Sequence, residues 1–176
     1  MIRYHEEVIL FMNNLIFVTT GTQKFQFDRL LKEIDSEIER GTITEDVFAQ
    51  IGASTYIPVN YLYQPFMPAE KMQEIRKKSS LIITHAGTSS IIEGIKLGIP
   101  VITVPRQKKY KEHVDDHQME ITKSMEKDGM VIAVYDIHNL GLAIKKAREI
   151  TPPAYHGHGQ KLLHEIEDIC LGKVSI

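Results

Sequence analysis

His85 ends an apolar run, Leu81-Ile82-Ile83-Thr84, and leads into Ala86-Gly87 and three hydroxyl residues, Thr88, Ser89 and Ser90. Small residues between a strand and a helix leave backbone N–H groups and the positive end of the helix dipole open to an anion. A histidine at the strand end faces the same space, where it can hydrogen-bond a phosphate. Eight residues on, Glu93 interrupts Ile91-Ile92-Glu93-Gly94-Ile95. A carboxylate in apolar company calls for a specific partner. A ribose diol is one such partner, and a solvated helix face is the plainer reading. The three hydroxyls read equally well as helix caps.

Two further clusters have comparable chemistry. Thr19-Thr20-Gly21-Thr22-Gln23 follows an apolar run and lets backbone N–H groups at Gly21 and Thr22 approach a phosphate or sugar, or else forms an ordinary strand-to-helix turn. It is neither a G-x-G-x-x-G nor a Walker A loop, because no Gly-Lys-Ser/Thr follows. Glu112-His113-Val114-Asp115-Asp116-His117-Gln118 crowds acids and histidines together, yet the acids are adjacent and no metal-ligand spacing appears. Recognition of sugar hydroxyls by Asp116, His117 and Gln118 at a helix start fits this segment better than a metal, with a simple helix cap as the alternative. Arg106, Lys108, Lys109 and Lys111 precede it, four cations that suit phosphate, anionic lipid, a partner or merely solvent. No G-x-S-x-G elbow supports Ser-His-Asp catalysis.

Elements that could position these residues alternate along the chain. The apolar runs 15–20, 47–51, 61–66, 81–84, 101–104 and 130–134 read as strands. Helical spacing occupies 27–40, 69–78, 89–97, 117–127, 139–150 and 160–171, the last amphipathic through Leu162, Leu163, Ile166 and Ile169. This alternation predicts an α/β fold, a Rossmann-like and mostly parallel sheet with helices on both faces. Ligands of such sheets bind beyond the carboxyl ends of the strands. The Gly21 and His85 turns both fall there.

The 176 residues suffice for one domain. We divide them into an extension over 1–14, a nucleotide-sugar domain over 15–150, and a C-terminal loop and amphipathic helix over 151–176. Met12 stands directly before the first strand, so residues 1–11 are an extension or Met12 is the start. A net charge of −2 argues against a nucleic-acid partner, and the single Cys170 fits a reducing, cytoplasmic setting. No apolar run reaches the roughly 20 residues a membrane span needs.

Taken in order, His85, Glu93, Leu97-Gly98-Ile99-Pro100 and Asp116-His117-Gln118 resemble the donor-binding half of GT-B glycosyltransferases. Leu15–Gln23, Phe27-Asp28-Arg29-Leu30 and Glu112–Gln118 are similar to the short family-28 C-terminal-domain-like subunits. These include the small subunit of the two-part UDP-GlcNAc transferase of dolichol-linked oligosaccharide synthesis and bacterial capsule and exopolysaccharide homologues. The resemblance spans about 15–150. It implies that His85 and the small residues Gly21, Thr22, Gly87, Thr88 and Ser89 bind a diphosphate, that Glu93 binds ribose, and that Asp116, His117 and Gln118 bind the donor sugar. It departs from larger relatives at Ile121, where they carry asparagine, and at the first turn, which lacks a second glycine.

The resemblance also implies a UDP-sugar donor and no cofactor or metal. A complete GT-B enzyme needs two such domains. A membrane-associated acceptor-binding subunit would therefore present a lipid-linked sugar at the cytoplasmic face, with 160–171 a candidate for docking or for packing on this domain's own sheet. The expected reaction is inverting transfer with UDP leaving and helix-end N–H groups stabilising its charge. The general base would come from the partner or be His85. A nucleotide-binding module without turnover, or a self-sufficient homodimeric transferase, stands as the alternative.

Overall fold

The computed structural model describes Met12 and residues 14–152. Six strands, β1 (Leu15–Thr19), β2 (Val47–Gln50), β3 (Leu62–Gln64), β4 (Ser79–Thr84), β5 (Val101–Thr103) and β6 (Ile132–Ala133), form one sheet in the order β3-β2-β1-β4-β5-β6. Every neighbouring pair is parallel. Five α-helices connect them: α1 (Asp28–Glu39), α2 (Ala69–Lys78), α3 (Thr88–Lys96), α4 (His117–Lys127) and α5 (Leu140–Glu149). The expected α/β architecture is therefore present, with strand and helix bounds shifted by a residue or two. Of the expected extension over 1–14, Met12 and Asn14 are described; its other residues and the helix at 160–171 lie outside the described residues.

Burial explains why the strands read as unbroken apolar runs. Ile16 and Val18 of β1 join α1 and α5 in the larger core, while Leu15 and Phe17 point to the other face, where they pack with Phe48 and Ile75. A sheet covered on both faces has no solvent side, so alternation disappears from its sequence. Phe17 and Phe48 stack with centroids 6.5 Å apart across β1 and β2. Among the described residues, no helix is long and apolar enough to cross a membrane.

The strand order reverses between β1 and β4. That is the switch point where loops on either side diverge and leave a crevice at the carboxyl edge. The turns after β1 and β4 are therefore neighbours in space, although 66 residues separate Thr19 from His85 in sequence.

The helix that follows the second turn is set close to the sheet by Gly94. A methyl group there would stand 2.6 Å from Val101 Cγ2 and 3.1 Å from Ile82 Cδ1. Gly94→Ala should raise helix propensity yet lower stability by about 1–3 kcal/mol through overpacking, measured by urea unfolding. An unchanged or higher midpoint would show that α3 has slack against β4 and β5.

Candidate functional site

At the end of β4 the backbone passes from His85 through Ala86 at φ 65°, a left-handed conformation that costs a non-glycine residue energy. Gly87 then serves as the N-cap of α3 without a side-chain cap. This kink turns the His85 ring back over the end of β1. The ring lies between two glycines: an ideal Cβ on Gly21 would come 2.5 Å from His85 Nε2, and one on Gly87 would come equally close. Gly21 has φ 80° and is required twice over, by its backbone conformation and by the ring against it.

His85 Nδ1 stands 3.3 Å from the Thr19 carbonyl. A carbonyl only accepts, so this contact assigns the proton to Nδ1 and leaves Nε2 as a lone pair beside Gly21 and Gly87. Burial, helped by the nearby Arg106 and His113 and opposed by the Thr19 carbonyl, pushes the imidazole pKa down to about 4. At neutral pH the ring is an uncharged acceptor.

Beneath the first turn, Gln50 is fully buried at the end of β2. Its Oε1 accepts from Thr19 Oγ1 at 2.7 Å, and its Nε2 donates to the Gly21 and Pro65 carbonyls at 2.9 and 3.0 Å. The carboxamide joins three strand ends and fixes the Gly21 peptide. Gly52 allows that approach, since a Cβ there would meet the Gly21 carbonyl oxygen at 2.5 Å.

Arg106 is the largest fully buried side chain among the described residues, which sets it apart from Lys108, Lys109 and Lys111, the cations it was grouped with in the sequence. Its Nη1 donates to the carbonyls of Phe25, Gln26 and Glu112 at 3.0, 2.9 and 3.0 Å, and its Nη2 to Thr20 at 2.6 Å. It also lies 4.9 Å from the Phe27 ring centroid. Glu112, equally buried, takes a bidentate pair from Arg29, both bonds 2.9 Å, and accepts the Gln107 amide at 3.0 Å. Two guanidinium groups thus face one carboxylate. Burial lowers the Arg106 pKa to about 10, against the pull of Glu112, so the group stays charged at neutral pH. Only its length and isolation among lysines could have hinted at this in the sequence.

The remaining candidates are distributed around this core. Gln118 is buried, and its Oε1 accepts the Arg106 amide at 3.1 Å. Asp116 is exposed and accepts the Lys108 amide at 2.8 Å. The head of α4 is capped by Asp115 rather than Asp116, through a 3.1 Å bond from the His117 amide. His117 is half-exposed beside Glu120. Thr22 and Ser89 are exposed, and Thr88 is partly buried. Glu93 has the specific partner its setting called for, the buried Arg76 of α2, while its own side chain stays 45% exposed. Arg76 also donates to Ser90 at 3.5 Å, so Ser90 faces α2 and not the crevice. Gly21, Gly87 and His85 therefore meet directly, whereas Glu93 sits along α3 and Asp116, His117 and Gln118 at the head of α4.

Three cavities, of ≈ 200, ≈ 260 and ≈ 490 Å³, lie at the opposite, amino edge of the sheet, lined by residues such as Ile99, Asp46 and Ser80. We place the candidate site by its chemistry, since an anion bound by backbone N–H groups needs no deep cavity.

The pattern of the glycosyltransferase family 28 C-terminal domain matches residues 15–161. The chain belongs to that family. It is 28% identical over 123 residues to the human UDP-N-acetylglucosamine transferase subunit ALG13, covering 65% of this chain and 10% of that protein. It is 31% identical over 98 residues to the uncharacterized UDP-glucosyltransferase YojK of Bacillus subtilis (strain 168), covering 52% of this chain and 23% of that one. This family-28 domain thus spans about a tenth to a quarter of those relatives. Among solved structures it is similar to the solution structure of ALG13, with TM-score 0.56 and 19% identity over 88% of this chain and 96% of that one. It is also similar to the glycotransferase of kitacinnamycin, with TM-score 0.59 and 16% identity over 88% and 38%. These structures share its GT-B-type fold.

Arg106→Met should free the 20–26 turn by orphaning four carbonyls, at a cost of about 3–5 kcal/mol. Hydrogen exchange should accelerate over residues 20–27 ahead of β4 and β5. Uniform acceleration across the sheet would show that Arg106 supports only global stability.

Proposed function

We propose that this domain is the donor-binding part of a glycosyltransferase that transfers a sugar from a UDP-sugar to a polyprenyl-diphosphate-linked acceptor in glycan or polysaccharide synthesis. The observation that carries the reading is the meeting of the Gly21 and Gly87 turns around His85 at the switch point. Their backbone N–H groups and the α3 dipole suit a diphosphate. Glu93, oriented by Arg76, would take the ribose diol. Asp116, His117 and Gln118 at the head of α4 would contact the donor sugar, with Thr22, Thr88 and Ser89 at the phosphates.

Transfer would be an inverting displacement at the anomeric carbon, with charge growing on the departing UDP. Preorganised N–H groups and the unbalanced buried Arg106 charge would stabilise that charge as it develops. A single domain supplies one wall of a cleft. A membrane-associated partner subunit would supply the other, hold the lipid-linked acceptor, recruit the domain to the cytoplasmic face of a membrane and provide the general base. His85 is the alternative base within this chain, a role open to its Nε2 only while the diphosphate does not hold a proton there.

Calorimetry with UDP and UDP-sugars tests the site. His85→Ala and Glu93→Ala should each weaken binding about tenfold or more, that is, by about 1.4 kcal/mol or more. Full affinity in both variants would overturn the assignment, and no binding of any uridine nucleotide would overturn the reading.

The protonation state gives a separate expectation. A diphosphate next to Nε2 raises the His85 pKa from about 4, so the complex holds more protons than the free domain above that pH. Binding of a UDP-sugar, whose diphosphate does not titrate near neutrality, should tighten as pH falls from 8 to 6. The enthalpy should vary with the buffer's ionisation heat in the wild type and not in His85→Asn. Equal dependence in both would place the proton elsewhere.

A further inference from the structure

The edge that carries the candidate site also gathers four exposed lysines. Lys24 stands on the loop after β1, and Lys108, Lys109 and Lys111 lie in and just after the short 3-10 turn (Lys108–Tyr110) that follows β5. The two loops form one surface, since Gln26 Nε2 donates to the Tyr110 carbonyl at 3.1 Å. Apolar groups stand among the charges. Tyr110 is 45% and Val114 61% exposed. The Tyr110 ring is held between cations, with Arg29 at 4.8 Å and Lys109 at 4.7 Å from its centroid, and Phe25 lies beside Lys24 and His113.

The acids of the same loop are engaged locally. Glu112 is buried against Arg29. Asp115 bonds His113 and the His117 amide, and Asp116 bonds the Lys108 amide. Counting the exposed lysines and aspartates leaves this rim positive on a chain whose net charge is −2. The charge is segregated, not spread.

We propose that this rim is a membrane-contact surface for anionic lipid headgroups. Lysines around a projecting tyrosine and valine match what a bilayer interface offers: negative charge at the headgroups, a polar-to-apolar boundary where tyrosine settles, and shallow hydrocarbon for an aliphatic side chain. An acidic protein surface would account for the lysines but not for the unpaired exposure of Val114 among them. A nucleic acid would ask for a broadly basic surface, and this chain, with a net charge of −2, is basic only locally. If the donor reading above holds, the contact turns the carboxyl edge toward the surface in which a lipid-linked acceptor resides. The contact itself does not depend on that reading.

The test is flotation of the full 176-residue chain with neutral phosphatidylcholine vesicles and with vesicles containing 30% (about one lipid in three) phosphatidylglycerol. The wild type should float with the anionic vesicles and lose that binding as salt rises. Each lysine near an anionic surface accounts for about a fivefold change in partition. Combined Lys108→Ser, Lys109→Ser and Lys111→Ser should therefore weaken partition about a hundredfold, and Tyr110→Ser with Val114→Ser should weaken it without abolishing the salt dependence. Circular dichroism and melting temperature report whether the variants fold. Failure of the wild type to float, or unchanged flotation of the triple variant through some other part of the chain, would overturn the proposal. So would equal binding to neutral vesicles doped with a polyprenyl phosphate, which would assign the lysines to a single lipid-linked phosphate. UDP calorimetry on the same samples separates the two readings: lost nucleotide binding with intact flotation overturns only the donor site, and the reverse only the membrane rim.

Discussion

A charged guanidinium placed where no water reaches it dictates much of the carboxyl edge. Desolvating Arg106 is costly unless each donor finds an acceptor of good geometry. The chain meets that demand at Nη1 and Nη2 with backbone carbonyls, three of them from residues 20–26 and one from Glu112, while the buried Nε has no hydrogen-bond partner among the described residues. These acceptors cannot be supplied unless the turn after β1 folds down onto the loop after β5. The Arg106 amide is meanwhile held by Gln118 at the start of α4. One side chain therefore couples the first turn, the lysine loop and the head of α4, three segments that a parallel sheet would otherwise leave to move separately.

His85 is the second fixed point, and it depends on residues that are missing side chains. Two glycines make room for the ring, and Ala86 accepts a left-handed backbone to aim it. The strain is local and small beside the core energy, which is why it can persist at the end of β4, a strand paired on both sides by β1 and β5. Gln50 completes the arrangement from below by filling the hydrogen bonds of the turn that the ring covers. The ring is neutral because burial disfavours its charged form, and the nearby Arg106 adds to that.

Much of the fold was legible because the hydrophobic runs and the turns agree. Leu81–Thr84 with His85, and Val101–Val104 after Gly98-Ile99-Pro100, could hardly be other than strands framing a helix. The shared neighbourhood of Gly21 and His85 followed from the rule that parallel sheets bind at a switch point. What the sequence hid was pairing over long separations. Glu93 announced that it needed a partner but gave no reason to choose Arg76 over a sugar. Arg106 looked like its lysine neighbours, since the difference between a solvated cation and a buried one lies in whether carbonyls from residues 80 positions away converge on it. The bond that the buried Gln118 Oε1 accepts from the Arg106 amide was hidden in the same way.

The two edges of the sheet show how one topology separates two kinds of space. At the amino edge, strand starts and helix ends leave cavities, one lined by Ile95, Ile99, Val101 and Met130 with Glu126 and Lys146 at its border, the others taking in Asp46, Asn60, Ser80 and Arg148. At the carboxyl edge the gaps are filled by Arg106, Glu112, Gln50 and His85, and their polarity is turned inward to hold backbone. What is left facing outward there is peptide N–H, helix dipole and uncompensated positive charge. Such a surface attracts anions. Enclosure, and with it exclusion of water during any group transfer, must then be completed by whatever is brought against this edge.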